Sequence, residues 1–309
     1  MRILVTGGAG FIGSHTADRL LEEGHDVAIL DNLRSGSRDN LPAKADFLEM
    51  DLQAPGLAPA LARLRPEAII HFAAQIDVRV SCQDPVFDAQ ENILGTLGLL
   101  EAGLDSGLRH FVFASSGGAI YGEAAGPQAE THPEVPINPY GVAKLAVDKY
   151  LYAYGVQRGL RACSLRFSNV YGPRQGAKGE AGVVAVFCKA LRDGRAPVIN
   201  GDGLQTRDFV HAQDLAEAVS LVLERGATGV LNLGTGVETS ILDLARSLCG
   251  LTSVDPDDLR HEAGIPGEQR RSVLDASRAL EALGWKPRTP LAGGLEETLA
   301  WFLSHGHRG

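Results

Sequence analysis

Tyr140 and Lys144, in the run Tyr140-Gly141-Val142-Ala143-Lys144, stand four residues apart. On a helix that spacing puts both side chains on one face, so a phenol and an ammonium can converge on one cleft. An isolated tyrosine, with a pKa of about 10, is a poor base at neutral pH. A nearby ammonium favours the phenolate and moves its titration toward the working range. The pair alone is cheap, and on most helices it would be a surface pair. Its weight comes from position: it follows Ser115-Ser116, which end a strand-like apolar run, in a chain that begins with a glycine-rich turn.

That turn, Thr6-Gly7-Gly8-Ala9-Gly10-Phe11-Ile12-Gly13, lies between a strand pattern and a helix pattern. Gly7, Gly10 and Gly13 permit the tight turn, the approach of backbone to a pyrophosphate and close packing of helix on strand. The phosphates then meet free amides at a helix N-terminus. Asp31 closes the second strand about twenty residues on, where an acid accepts from a ribose 2′-hydroxyl and repels a 2′-phosphate. The pattern therefore predicts NAD rather than NADP.

These groups need elements to hold them. Short apolar runs alternating with helical patterns predict parallel βα units: strands Arg2–Thr6, Val27–Asp31, Asp46–Asp51, Ala68–Phe72, His110–Ser115 and Leu160–Arg166. Helices are expected over Phe11–Glu23, around Val86–Asp105, and from Asn138-Pro139 to about Arg158, where Asn is a cap and Pro suits the first turn. The fold class is α/β, a Rossmann doubly wound parallel sheet with a smaller C-terminal substrate-binding lobe. The expected division gives residues 1–173 to the first domain, with segments near 207–238 returning to it. Residues 174–206 and 239–309 form the lobe.

The totals exclude several other classes. Twenty-nine Lys plus Arg against 38 Asp plus Glu leave a net charge of −9, which gives no electrostatic reason to expect nucleic acid or a membrane surface. The cysteines, Cys82, Cys163, Cys188 and Cys249, form no CxxC pair, and no histidines stand as HxxxH. No metal site is expected, and reduced thiols suit a cytoplasmic protein.

Taken together, TGGAGFIG, Asp31, Asp51-Leu52, His71-Phe72-Ala73-Ala74, SSGGAIYG, YGVAK and RFSNVYGPRQ resemble the extended short-chain dehydrogenase/reductase family. Within it, the chain is most similar to the UDP-glucose (UDP-galactose) 4-epimerases, over essentially its whole length. The resemblance implies NAD as cofactor, a UDP-sugar as substrate and a homodimer. It makes Tyr140 the acid/base, and Lys144 the group that lowers its pKa and binds the nicotinamide ribose. A serine at the end of the fifth strand would bond the sugar hydroxyl. Counting from the strand start gives Ser116, with Ser115 in reserve, whereas counting back from Tyr121-Gly122 lands on Gly117.

The same carry-over puts Phe11 and Ile12 at the pyrophosphate, Asp31 and Asn32 at the adenosine ribose, and Asp51 and Leu52 at the adenine. Ser35 and Gly36 also belong to the cofactor set. Phe72, Ala73, Ala74, Asn92 and Ser115 line the rest of its path. On the sugar-nucleotide side stand Asn169, Val183, Arg207, Glu268 and Ser272. Arg207 would grip the diphosphate, Glu268 hold the uridine ribose, and the small Ser272 leave room at the sugar C2.

There are departures from the family pattern. Ile265 stands where an arginine is common, which throws diphosphate binding onto Arg207 with Arg174, Arg270 or Arg271. Ile76 replaces a lysine expected near the nicotinamide. Rival readings are a 4,6-dehydratase, an NAD-dependent reductase and a protein that merely binds dinucleotide. A dehydratase needs an acid pair after the strand-end serine, where this chain has Gly117-Gly118. A mere binder has no use for an activated phenol.

Overall fold

The computed structural model describes residues 1–123, 125–176, 182–264 and 269–305. Six strands come first: β1 (Arg2–Thr6), β2 (Asp26–Asp31), β3 (Asp46–Glu49), β4 (Ala68–His71), β5 (His110–Ser116) and β6 (Arg161–Phe167). Then follow β7 (Asn169–Tyr171), β8 (Val198–Asn200), β9 (Thr206–His211), β10 (Gly229–Leu233), β11 (Glu238–Ser240), β12 (Arg260–Glu262) and β13 (Arg271–Ser272). The main sheet has seven strands in the order β3-β2-β1-β4-β5-β6-β10, every neighbouring pair parallel. Strand order reverses beside β1, where β2 lies on one side and β4 on the other. In open α/β sheets ligands bind at that switch point, beyond the carboxyl ends of the strands.

The central strands are buried on both faces. Ile3, Val5, Ile29, Ile70, Val112 and Leu165 pack under the helices Phe11–Glu22 and Ala212–Arg225, while Leu4, Leu30, Ile69, Phe111 and Phe113 pack under Leu57–Leu64, Gly95–Asp105 and Pro139–Arg158. Runs that are apolar at every position are what a doubly covered parallel sheet demands. The segment expected as one helix around Val86–Asp105 is instead a short helix Pro85–Ala89, a π turn Gln90–Leu94 and the helix Gly95–Asp105. The wide turn holds Asn92 inward, where its side chain bonds both the N–H and the C=O of Gln75 at 2.9 Å. π turns of this kind gather at functional sites.

A second, smaller sheet centres on β9. Its first residues pair with β11 (antiparallel) and β13 (parallel), and its last three with β7. It shares a core with the helices Val183–Arg192, Ile241–Cys249 and Leu291–Ser304, built from Tyr171, Phe187, Phe209, Leu244, Leu248 and Leu299. β9 bridges the two cores, since Phe209 faces this one and Val210 the main one. β12 and β8 form a separate parallel pair. Among the described residues no helix is long and apolar enough to cross a membrane.

Candidate active site

The glycine turn is built as its residue types require. Gly7 has φ +68°, and a Cβ there would stand 2.6 Å from the Ala73 nitrogen. A Cβ on Gly13 would lie 2.3 Å from the Gly7 carbonyl. Gly10 caps the helix Phe11–Glu22, whose cap position carries no side-chain hydrogen bond, so the first-turn amides are left for an anion. Asp31 is buried at the end of β2. One carboxylate oxygen accepts from the Ala9 N–H at 3.0 Å and the other from the Leu33 N–H at 2.8 Å. Each oxygen keeps an acceptor position, which is what a ribose hydroxyl needs.

Around Asp31 the cradle continues. Gly36 packs so close that a Cβ would meet Ala9 Cβ at 2.9 Å and the Asp31 carboxylate at 3.0 Å, with Ser35 just before it. Asn32 donates to Asp51 at 2.8 Å, and the Gln53 N–H donates to the same carboxylate. These bonds hold Asp51 below the ordinary carboxylate range, chiefly through the Gln53 amide. Leu52 lies against Gly95. Phe72 stacks on Phe167 with ring centres 6.5 Å apart, and Ala73 and Ala74 follow in the half-buried turn that Asn92 braces.

Beyond that turn, Asn138 caps the helix Pro139–Arg158 through a 2.8 Å bond from the Gly141 N–H, and Gly159 at φ +68° ends it. A cap of this kind is worth about 1 kcal/mol. It fixes where Tyr140 begins. Ser116 stands beside the Tyr140 phenol, and its oxygen accepts from the Ala119 N–H at 3.3 Å. Ser115 is buried and turned toward Asp148, as strand alternation requires of its neighbour. Geometry thus brings Ser116, not Ser115, to Tyr140.

Lys144 is buried, its ammonium donating to the Ala114 carbonyl at 2.8 Å and lying 4.6 Å from the centre of the Phe113 ring and 5.6 Å from that of Tyr140. Burial pulls it down to about 8, against the pull of Asp148 and Asp88. Tyr140 corrects an expectation. Among the protein's own groups it is pushed up, first by burial and then by the Asp88 carboxylate, with only the Ser116 hydroxyl opposing. The ammonium is aimed at Ala114, and desolvation of the phenolate outweighs it.

On the lobe side, Arg207 and Ser272 are register partners in β9 and β13, and Arg207 donates to the Thr206 carbonyl at 2.8 Å. Ser272 is buried, and a Cβ on Gly118 would lie 3.5 Å from its hydroxyl, so the β13 wall reaches the loop that follows Ser116. Asn169 starts β7 and Val183 starts the helix Val183–Arg192, both half-buried. Glu268 and Ile265 fall outside the described residues. Arg174 is paired with Asp18 at 2.6 Å, Arg270 with Asp202 at 3.0 Å, and Arg271 with Glu238. Ile76 is exposed.

Sequence reading passed over the polar groups behind these residues. Asp88 is buried, and its carboxylate accepts from Gln75 and Asn92 at 2.9 Å each. His71 bridges Thr6 at 2.7 Å and Thr96 at 2.8 Å and is held neutral by burial, down to about 3. Asp148 pairs with a fully buried Arg166 at 2.9 Å. The spacing Tyr140, Lys144, Asp148 was the available signal for the last of these. Among the described residues no three His, Cys, Asp or Glu side chains gather as a metal site.

A doubly wound sheet, a phosphate-accepting glycine turn and a Ser–Tyr–Lys cluster at the sheet's carboxyl edge define a dinucleotide protein of the extended short-chain dehydrogenase/reductase class. The model of the NAD dependent epimerase/dehydratase family matches residues 3–234, and the chain belongs to that family. It is 44% identical to a UDP-glucose 4-epimerase of Mycolicibacterium smegmatis, over 98% of each chain. Among solved structures it is similar to the UDP-glucose 4-epimerase of Thermotoga maritima with UDP-glucose, with a TM-score of 0.94 and 42% identity over 98% of this chain and 99% of that one. The Thermus thermophilus UDP-glucose 4-epimerase in complex with NAD also gives a TM-score of 0.94, at 40% identity over 99% of this chain and 100% of that one.

Proposed function

We propose that this chain is an NAD-dependent 4-epimerase of UDP-hexoses, interconverting UDP-glucose and UDP-galactose through a 4-keto sugar. The observation that carries the reading is the meeting of Tyr140, Ser116 and Lys144 at the edge of the sheet whose first turn is the dinucleotide cradle. NAD, when bound, would supply the two-electron acceptor, and its positive charge would favour the phenolate where the protein's own groups oppose it. Tyr140 takes the C4 hydroxyl proton as hydride leaves C4, and returns that proton when hydride comes back to the other face of the ketone. Ser116 orients the reacting oxygen. Lys144 would hold the nicotinamide ribose, while Gly7, Gly10, Phe11, Ile12 and Gly13 would cradle the pyrophosphate and Asp31 the adenosine ribose.

The lobe of residues 174–206 and 239–309 would hold the sugar nucleotide, with Asn169, Val183, Arg207 and Glu268 as its contacts. Ser272 leaves space for a C2 acetamido group. A dehydratase needs an acid pair after Ser116, and Gly117-Gly118 stand there instead. The exposed apolar side chains Val142, Tyr152 and Val156 on the helix Pro139–Arg158 support a homodimer through this helix. A reducing cytoplasm suits the free thiols of Cys163, Cys188 and Cys249. The test is to denature the purified protein, identify the released dinucleotide, and assay UDP-glucose, UDP-galactose and their 2-acetamido forms. NAD with C4 inversion is expected. NADP, or net turnover of reduced cofactor, overturns the reading.

A further inference from the structure

Tyr140 and Lys144 continue, one turn on, into Asp148, and all three lie on the face of the helix Pro139–Arg158 that packs against β5 and β6. Asp148 is buried. One oxygen accepts from the Ser164 hydroxyl of β6, and the other from Arg166 Nε of the same strand at 2.9 Å. Arg166 spends its remaining donors on the Tyr121 hydroxyl at 2.8 Å and on Glu134 at 2.5 Å. Tyr121 in turn donates to the side-chain oxygen of Asn232 of β10 at 2.8 Å, and Glu134 also pairs with Lys149 at 2.5 Å. A charged pin thus joins the catalytic helix to β6, β10 and the turn that follows Ser116.

Stability alone does not call for such a pin. Desolvating two ions costs about what their attraction returns, and well-packed apolar residues at the same place are often neutral or better. Apolar contacts of this helix face, such as Val147 and Leu151, bury it without giving it direction. A fixed ion pair supplies direction. The approach of Tyr140 to Ser116 and the 2.8 Å bond of Lys144 to Ala114 both depend on the depth and rotation of this helix over the end of β5.

We propose that the Asp148–Arg166 pair is a positioning device that sets the helix so that Tyr140 reaches Ser116 and Lys144 reaches Ala114. The inference rests on the reading of Tyr140 and Lys144 as the reacting groups. The charges around them are few. Lys144 is faced by Asp88 from the short helix Pro85–Ala89, His71 from β4, and Tyr140 and Asp148 from its own helix. Asp148 is faced by Arg166 and Cys163 from β6. On the neighbouring turns Arg79 and Cys82 are exposed, and Glu91 bonds Arg34. Asp148 therefore also supplies negative potential at Lys144, a contribution that a purely mechanical pin would lack.

The experiment compares wild type with the double variant Asp148→Leu/Arg166→Met, which removes both charges of the pin together and leaves Glu134 its Lys149 and Tyr121 its Asn232. The expected result is a folded protein that retains NAD and has KM within about threefold of wild type. Its kcat should fall roughly 10–100-fold, as misplacement of reacting groups costs. Wild-type kcat in that folded variant overturns the proposal. If the double variant does not fold, Asp148→Asn, which keeps the shape and the acceptor, decides. It should lower kcat and move the alkaline limb of the kcat–pH profile downward by about one unit, because Lys144 loses a favourable charge. An unmoved limb with unchanged kcat overturns the proposal. Tyr140→Phe is run beside both: activity surviving there condemns the reading of the site itself, whereas an inactive Tyr140→Phe beside an unimpaired double variant condemns only the pin.

Discussion

Between Thr6 and Gly13 the site is made by the backbone, through amides, one positive φ and the absence of Cβ atoms. Around Tyr140 it is made by side chains whose orientation depends on buried bonds to β5 and β6. The backbone region tolerates change in what points outward and nothing in what fills space. The side-chain region tolerates changes of volume at its apolar contacts and little in its polar atoms. Substitutions that separate chemistry from shape can therefore tell the two apart.

The largest effect is expected at the phenol. Tyr140→Phe keeps volume and removes one oxygen, so fold and NAD content should persist while turnover falls by about 10²–10⁴-fold or more. Near-normal steady-state rates would take Tyr140 out of the chemistry. Gly13→Ala is the opposite experiment, adding shape without chemistry. Its methyl would lie 2.3 Å from the Gly7 carbonyl, and overpacking of this kind costs about 1–3 kcal/mol. A lower melting temperature together with loss of bound dinucleotide is expected; unchanged cofactor content would mean that the turn is not the cradle.

A smaller effect, of unusual sign, is expected at Lys144. Its folded pKa of about 8 lies below the ordinary lysine value of 10.5, so the folded state binds this proton less tightly than the unfolded state does. The resulting penalty is full at neutral pH and fades as pH rises from about 8 toward 10.5. Lys144→Met should therefore stabilise the protein at pH 7, by roughly 1–3 kcal/mol, while impairing turnover. Denaturant midpoints at pH 7 and pH 10 check this, and a destabilised variant at pH 7 would show that the ammonium is better compensated than its burial implies. The smallest effect belongs to the lobe. Ser272→Tyr should reduce turnover of 2-acetamido UDP-sugars by a larger factor than that of the unsubstituted sugars; equal losses would put the gate elsewhere.

The same contrast explains what could be read from the residues alone. Glycines at Gly7 and Gly13 and an acid at Asp31 leave a local signature, because few other residues satisfy the turn, and the strands around them carry continuous apolar runs. The helix of Tyr140 was legible from Asn138-Pro139 and from the spacing to Lys144. Asp88 and Arg166 were not, because a charged residue in sequence looks solvated until the fold buries it. The break in the helix at Gln90–Leu94 was hidden for a similar reason: a π turn needs the Gln75 backbone as partner for Asn92, and that contact is long-range. The helices Leu57–Leu64 and Ser277–Leu283 were passed over because they are only about two turns long.

The central claim, that hydride leaves and returns to one carbon within one binding event, is tested most directly by isotope. UDP-galactose carrying deuterium at C4 is incubated with the protein in ordinary water, and the product is examined by NMR while absorbance at the reduced-nicotinamide band is followed. The account predicts UDP-glucose with the deuterium still on C4 and no accumulation of free reduced cofactor. Loss of deuterium to solvent, or its appearance in released dinucleotide with a 4-keto sugar left behind, would contradict it.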